Sequence, residues 1–435
     1  MLSRVLKTRK RVFYGWWIVA AGSGLTLTGA MHGYGFSVFF LPLSQSLGLS
    51  RTATSLVFAA ARLEGGFEAP IAGRLIDRFG PRAMLAAGAA LAGLGYILLG
   101  LIVRDFWSFL LVYVVVLSTG FSVGFFSALQ VAYNTWFHKY RATVLGTLAA
   151  SNRAGAFLLV PAISFLVYRL GWQTTAIIVG VIIIVVVVPL AQVFRRSPES
   201  MGLLPDGAVL TPVTSPRHSS EPAERKPKAS DHDFTLSEAM KTSAFWLMTL
   251  AQGVRAAALG AVLVHAVPML VWKGAGRQEA ANLLGTMALI GMPGALIMGR
   301  LADRLNKRVL IALGSIAGGL ALLILNGAGE TWHLYGFIIL YAAAESTNAV
   351  MIAIVGDFFG RKHFATLRGV MQFFSTFPSF GMPVYAGWVW DRTDSYTLAL
   401  VPFAMAAVVA AVLYLMLRPP KVPASVSVPA GVSRG

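Results

Sequence analysis

The chain has 435 residues, 56% hydrophobic and only 12% charged, with a mean hydropathy of +0.69; a soluble domain carries roughly twice that charged fraction. It contains no cysteine, which excludes disulfides, thiolate metal sites and thiol redox chemistry. A net charge of +18 would suit a nucleic acid, but the basic residues are distributed as in a membrane protein, so no nucleic-acid partner is expected.

Apolar stretches of about 20 residues, enough to span a bilayer, recur along almost the whole chain. They predict twelve segments at 14–43, 52–75, 81–103, 106–134, 142–168, 172–194, 243–272, 279–299, 308–328, 333–356, 364–390 and 396–417. The expected fold is an all-α integral membrane protein with twelve transmembrane helices in two six-helix halves. The expected boundaries are a first half at 1–194, a linker at 195–241, a second half at 242–418 and a disordered tail at 419–435.

The basic run Lys7, Arg9, Lys10 and Arg11 precedes an apolar stretch too long for a signal peptide, with no clear cleavage site, so an uncleaved first helix is expected. Tyr34, Phe36, Phe39 and Phe40 follow in the first segment, where they line a cavity or simply pack. His32 and, in the seventh segment, His265 occupy equivalent places near the outer ends, where water would satisfy them. The second segment carries Arg62, Glu64 and Glu68. Glu64 and Glu68 are four apart and share a face; Arg62 points away from Glu64.

Next comes a decapeptide, Gly73-Arg-Leu-Ile-Asp77-Arg78-Phe-Gly80-Pro81-Arg82, between two apolar stretches. It returns after the eighth segment as Gly299-Arg-Leu-Ala-Asp303-Arg304-Leu-Asn306-Lys-Arg308. A second repeated block runs from Trp136 to Gly146 and from Phe358 to Gly369, with Pro161 and Pro383 at matching depths beyond it. A charged loop repeated at one place in two hydrophobic halves marks a duplicated membrane protein, and such proteins place a binding site between their repeats.

Between the halves, residues 195–241 hold six prolines and scattered charges, a linker composition, with a short interfacial helix expected near 234–241. The third, sixth, ninth and twelfth segments have no charged residue beyond their first two positions, so they are expected at the periphery. Of the 36 Lys and Arg, 27 fall in the N-terminus, the even-numbered loops and the C-terminus. Six fall in odd-numbered loops: Arg51, Arg104, Arg169, Lys273, Arg277 and Arg392. This asymmetry predicts cytoplasmic termini.

Three arginines, Arg62, Arg153 and Arg255, lie deep inside segments, away from their ends. At about 1.5 Å per helical residue, Arg153 and Arg255 fall near the midplane, one from each half. Guanidinium is permanently charged and binds carboxylates through two parallel bonds, so the pair suits an organic anion. The alternative is that each arginine meets a buried carboxylate or snorkels. Glu64 is the first candidate for a proton site, with Glu345 on the tenth segment as the second; alternatively Glu64 neutralises an arginine. No metal cluster, cofactor site or nucleophile–base constellation stands out, so neither an enzyme nor a cofactor is expected.

The decapeptides match the loop motif of the major facilitator superfamily, Gly-x-Leu-x-Asp-Arg-x-Gly-Arg-Arg/Lys, at Gly73, Asp77, Arg78, Gly80 and Arg82, and again at Gly299, Asp303, Arg304 and Arg308. The chain resembles that superfamily throughout except the linker and tail. Phe137, Lys139, Arg141, Gly146 and Ala150, with Tyr14-Gly15-Trp16-Trp17, resemble monocarboxylate transporters and their bacterial oxalate–formate antiporter relatives. The resemblance implies that the repeated loops act as a conformational latch. It also implies alternating-access transport of a small organic anion, a mono- or dicarboxylate, with a proton, in a bacterial inner membrane and as a monomer among lipids. Expected substrate contacts are Arg153, Arg255, Tyr34 and Arg62. The chain lacks the charged pair those transporters place in the eighth segment and the lysine they place in the first. The alternatives are a proton-driven exporter of drugs or metabolites, a carboxylate exchanger and a non-transporting nutrient sensor.

Overall fold

An apolar chain in hydrocarbon must satisfy its backbone polar groups internally, and the long apolar stretches are helical. A computed structural model describes residues 13–137, 140–204, 206, 233–360 and 363–420. The first segment comprises α1 (Tyr14–Gly33) and α2 (Phe36–Ser46), and α3 (Arg51–Leu101) carries the second and third. The fourth runs through α4 (Phe106–Leu110), π-helical stretches Leu111–Ser118 and Gly120–Ser127, and α5 (Ala128–Trp136). The fifth and sixth share α6 (Arg141–Ile182), continued by a π turn (Ile183–Val187) and α7 (Val188–Ala191). The short α8 (Leu236–Met240) opens on a capping box between Thr235 and Glu238, in agreement with the expected short helix. The rest of the proposed linker, at 207–232, and the tail from 421 lie outside the described residues.

In the second half, α9 (Ser243–Val264) and α10 (Ala266–Trp272) form the seventh segment, α11 (Arg277–Arg304) the eighth and α12 (Lys307–Asn326) the ninth. The tenth is α13 (Thr331–Ser346) with α14 (Asn348–Phe359), followed by α15 (Phe364–Thr393) and α16 (Thr397–Met416). The halves meet where α3 packs on α15 and α6 on α11. The expected periphery is seen: Leu94, Val185, Leu313 and Met405, one from each uncharged segment, face outward.

The sequence pattern does not show the breaks. The first segment is interrupted at Tyr34–Gly35, the seventh at His265 and the tenth at Thr347, while the fourth changes helical pitch around Thr119. The first and seventh are equivalent in the duplication, as are the fourth and tenth. Irregular backbone at membrane depth persists only where protein or a cavity covers it.

The repeated decapeptides turn by different means. In the first, Gly80 adopts φ 80°, ψ 162°, a region essentially confined to glycine, and Pro81 begins the next helix, where a missing N–H costs nothing. In the second, α11 stops at Arg304 and Asn306, at φ −67°, caps α12 by accepting from the Arg308 N–H at 3.1 Å. A side-chain cap thus replaces the positive φ, and glycine is not needed there. Arg82 donates to Gln192 Oε1 at 2.8 Å, and Arg308 donates to the Leu417 carbonyl. The side chains of Asp77 and Asp303, on which the latch expectation rests, lie outside the described residues. Gly80→Ala is expected to destabilise the detergent-solubilised protein by about 1–3 kcal/mol, whereas Asn306→Gly should cost a few tenths. Equal melting temperatures for the two variants would contradict this reading of the loops.

Candidate functional site between the halves

At the end opposite the decapeptides the halves are tied together. The N-terminus of α3 presents unpaired N–H groups, and Asp391, near the end of α15, takes them up. It accepts from Arg51 N at 2.9 Å, Thr52 N at 2.8 Å and Thr52 Oγ1 at 2.5 Å. The Arg51 guanidinium lies 3.4 Å from the Trp390 ring centroid and donates to Tyr396 Oη at 2.6 Å. His265 sits inside this seal. Its Nε2 is 3.0 Å from the Pro383 carbonyl and 2.9 Å from Ser55 Oγ, and its Nδ1 is 3.0 Å from Tyr396 Oη. A carbonyl only accepts, so the proton is assigned to Nε2 and Nδ1 accepts from Tyr396. His265 is therefore held by protein, not by water as expected, because the break after α9 turns it inward across the interface. His32 also departs from expectation: its ring stacks on Phe121 at 4.4 Å and 9°.

Beneath the seal lies a cavity of about 260 Å³, lined from one half by His32, Tyr34, Arg62 and Tyr113 and from the other by Gly260 and Leu263. The three midplane arginines behave differently around it. Arg255 is 2% exposed. Its Nη1 donates to Asn348 Oδ1 at 2.6 Å, and its Nη2 to the Ala344 carbonyl at 2.6 Å and Thr347 Oγ1 at 3.1 Å. These acceptors are the groups freed by the break in the tenth segment, so Arg255 holds that break together and only its buried Nε lacks a partner. Arg153 crosses the interface to donate to the Glu345 carbonyl at 3.4 Å, with Nη1 buried and unpartnered.

Arg62 is the free one. Among the described residues it donates no hydrogen bond and has no carboxylate within ion-pair distance; its nearest ring is Phe58, 5.5 Å from Cζ. Its side chain is exposed although it lies deep in the molecule, because the exposed surface is cavity wall. Two glycines of the second half make room for these cations. A Cβ at Gly260 would stand 2.8 Å from Arg62 Nη1, and one at Gly291 would stand 2.6 Å from Arg153 Nη1. Gly291 belongs to the uncharged stretch of the eighth segment, so that stretch receives a cation from the other half in place of carrying one.

Among the described residues no carboxylate forms an ion pair with these arginines, although Glu345 lies within electrostatic reach of Arg62. Glu64 Oε1 accepts from Thr119 Oγ1 at 2.9 Å, at the change of pitch in the fourth segment. Glu64 Oε2 and Glu68 Oε2 are buried with no hydrogen-bond partner among the described residues. Glu345 Oε2 accepts from Asn348 Nδ2 at 2.9 Å, so Asn348 bridges Glu345 and Arg255. Tyr34, at the break in the first segment, lies within electrostatic reach of Arg153 and Glu345.

A family model described as Major Facilitator Superfamily matches residues 23–272 and 260–433. The chain belongs to the major facilitator superfamily. It is similar to monocarboxylate transporter 12-B of Danio rerio, at 24% identity over 398 residues, covering 88% of this chain and 83% of that one. It is also similar to the oxalate:formate antiporter of Oxalobacter formigenes, at 24% over 215 residues, 49% of this chain and 46% of that one. A solved bacterial homologue of the human lysosomal transporter Spinster, inward-facing and unoccupied, shares the fold with a TM-score of 0.69 at 16% identity, covering 93% of this chain and 97% of that one. This major facilitator chain is thus a membrane transporter by family and fold.

Removing the Asp391 carboxylate should loosen the seal. Asp391→Ala loses three bonds to the start of α3, and charge-assisted bonds are worth about 1.5–3 kcal/mol each. A cysteine placed at the buried Ser55 should then react with a water-soluble maleimide at least about tenfold faster than in the unaltered background. Unchanged labelling would show that Asp391 does not hold this end shut.

Proposed function

We propose that the chain is a secondary transporter that carries a small organic anion across a bacterial cytoplasmic membrane by alternating access, coupled to a proton. The observation that carries this reading is Arg62. It is a permanent cation at membrane depth, between the halves, with no ion-pair partner among the described residues, Glu345 reaching it only through space, and with a cavity in front of it. A charge in that position is retained where it serves a function, and an incoming carboxylate completes its bonding in the fork geometry that guanidinium favours.

Placed by the charge asymmetry of the loops, the decapeptide end and both termini face the cytoplasm. The tied Asp391 end is then external and closed. Alternation requires the Asp391 contacts to release while the decapeptide loops close. The interrupted first, fourth, seventh and tenth segments are where the backbone absorbs that change. Arg255 serves mainly to brace the tenth segment, and Arg153 ties it to the first half.

Glu64 is the proton site in this reading, with Glu345 second. It sits one helical turn from Glu68, and two like charges in a poorly hydrated place are both disfavoured, so one proton is favoured there. Its hydrogen bond to Thr119 links it to the segment whose pitch changes. A monocarboxylate moving with one proton is electroneutral.

In reconstituted vesicles, Arg62→Gln is expected to weaken apparent carboxylate affinity by about 1.5–3 kcal/mol, roughly one to two decades. Arg62→Lys should recover only part, because the fork is lost. Unchanged affinity in Arg62→Gln, at normal membrane abundance, would sink the assignment. Glu64→Gln should abolish accumulation driven by a pH step while sparing exchange of labelled for unlabelled anion, since exchange moves no net proton. Persistent pH-driven accumulation in this variant would remove Glu64 from the coupling role.

A further inference from the structure

Charge and shape in the cavity go further than "organic anion", and this step rests on that reading of Arg62. The cavity offers one uncommitted cation. Arg255 has its terminal nitrogens bonded to Asn348, Ala344 and Thr347. Arg153 is turned against Gly291 and is not part of the wall. A second carboxylate on the same ligand would find no second cation in the wall: besides Phe58, Leu263 and Val264 it would meet only neutral polar groups, at His32, Tyr34, Tyr113 and Ser118. Neutral hydrogen bonds alone compensate a full charge poorly at membrane depth. That weighs against dicarboxylates, small ones included.

The opposite limit comes from the walls. A very short acid would satisfy Arg62 but leave the apolar side unfilled, and unfilled apolar contacts forgo both dispersion and burial. Four rings stand in the wall: His32, Tyr34, Phe58 and Tyr113. His32 is held flat by its stack on Phe121, with Tyr113 beyond it at 5.8 Å, and Phe58 packs on Phe36 at 4.7 Å. Aromatic faces and edges at fixed angles favour a planar guest, which gains offset or edge contacts beyond its area. At about 260 Å³, the cavity is just below the roughly 300–1,000 Å³ of sites for drug-sized ligands, so a single ring is the larger body it admits.

We propose that this cavity is the binding site for a monocarboxylate with a compact planar apolar body of about one ring, its carboxylate on Arg62 and its ring among His32, Phe58, Tyr113 and Leu263. Gly260 is the positioning residue. With no Cβ it lets the guanidinium lie against α9, and any larger residue pushes the cation into the space the carboxylate needs.

The test is equilibrium binding to the full chain in lipid nanodiscs, with benzoate, acetate and oxalate as probes. Benzoate should bind at least about tenfold more tightly than either of the others. Arg62→Gln should weaken benzoate by about tenfold or more. Leu263→Trp, which fills the ring side and leaves Arg62 in place, should reduce the benzoate-to-acetate affinity ratio by about tenfold. Should Leu263→Trp fold poorly, Leu263→Phe gives the same comparison with a smaller group. Acetate or oxalate binding as tightly as benzoate, through Arg62, would overturn the ring-sized site and leave the organic-anion reading standing. Failure of all three probes to bind would overturn both.

Discussion

An arginine does not lose its charge at any pH a cell reaches, and a low-dielectric interior does not hold such a charge cheaply unless something answers it. The arrangement of this protein follows from how three midplane arginines meet that demand. Arg255 is answered by the carbonyl and side chains that the broken tenth segment releases. Arg153 is answered in part, across the interface, by the Glu345 carbonyl. Arg62 faces a cavity, with Glu345 within electrostatic reach but not in contact. In the proposed reading, two committed cations build the frame and the third is left for a guest.

The same economy of polar groups explains the breaks. Interrupting a helix inside a membrane frees backbone groups that must be satisfied locally. At Thr347 they receive Arg255; at His265 the imidazole links Tyr396, Ser55 and Pro383. The breaks recur at equivalent places in the two halves, yet their chemistry differs. The second half uses side chains to seal and brace, whereas the first half presents Tyr34, Glu64 and Thr119 around the changes of pitch. Duplication gave the frame, and in the proposed reading divergence of the side chains made one half structural and the other receptive.

Much of the frame was legible because its signals are long or repeated. Twelve apolar stretches give helices wherever water is excluded, and two charged decapeptides disclose the duplication. The three arginines could also be read, since charge inside an apolar run is conspicuous. Their division of labour could not. Choosing Arg62 over Arg255 depends on which acceptors the tenth segment releases, and nothing in Ala344-Glu345-Ser346-Thr347-Asn348 announces a break. Gly260 and Gly291 were hidden among 44 glycines, because their role is the approach of a guanidinium from the other half. Asp391 stands just past the eleventh apolar stretch, and only the packing of α15 brings it to the start of α3. Local pattern sets the segments; contacts between distant segments set the site.

The most direct measurement is a structure of the chain in a lipid disc with a transported carboxylate bound. The account predicts the carboxylate oxygens within about 2.7–2.9 Å of the Arg62 guanidinium nitrogens, with Arg255 still bonded to Asn348 and Thr347. A carboxylate seated on Arg255, or Arg62 paired with a protein carboxylate while substrate lies elsewhere, would contradict it.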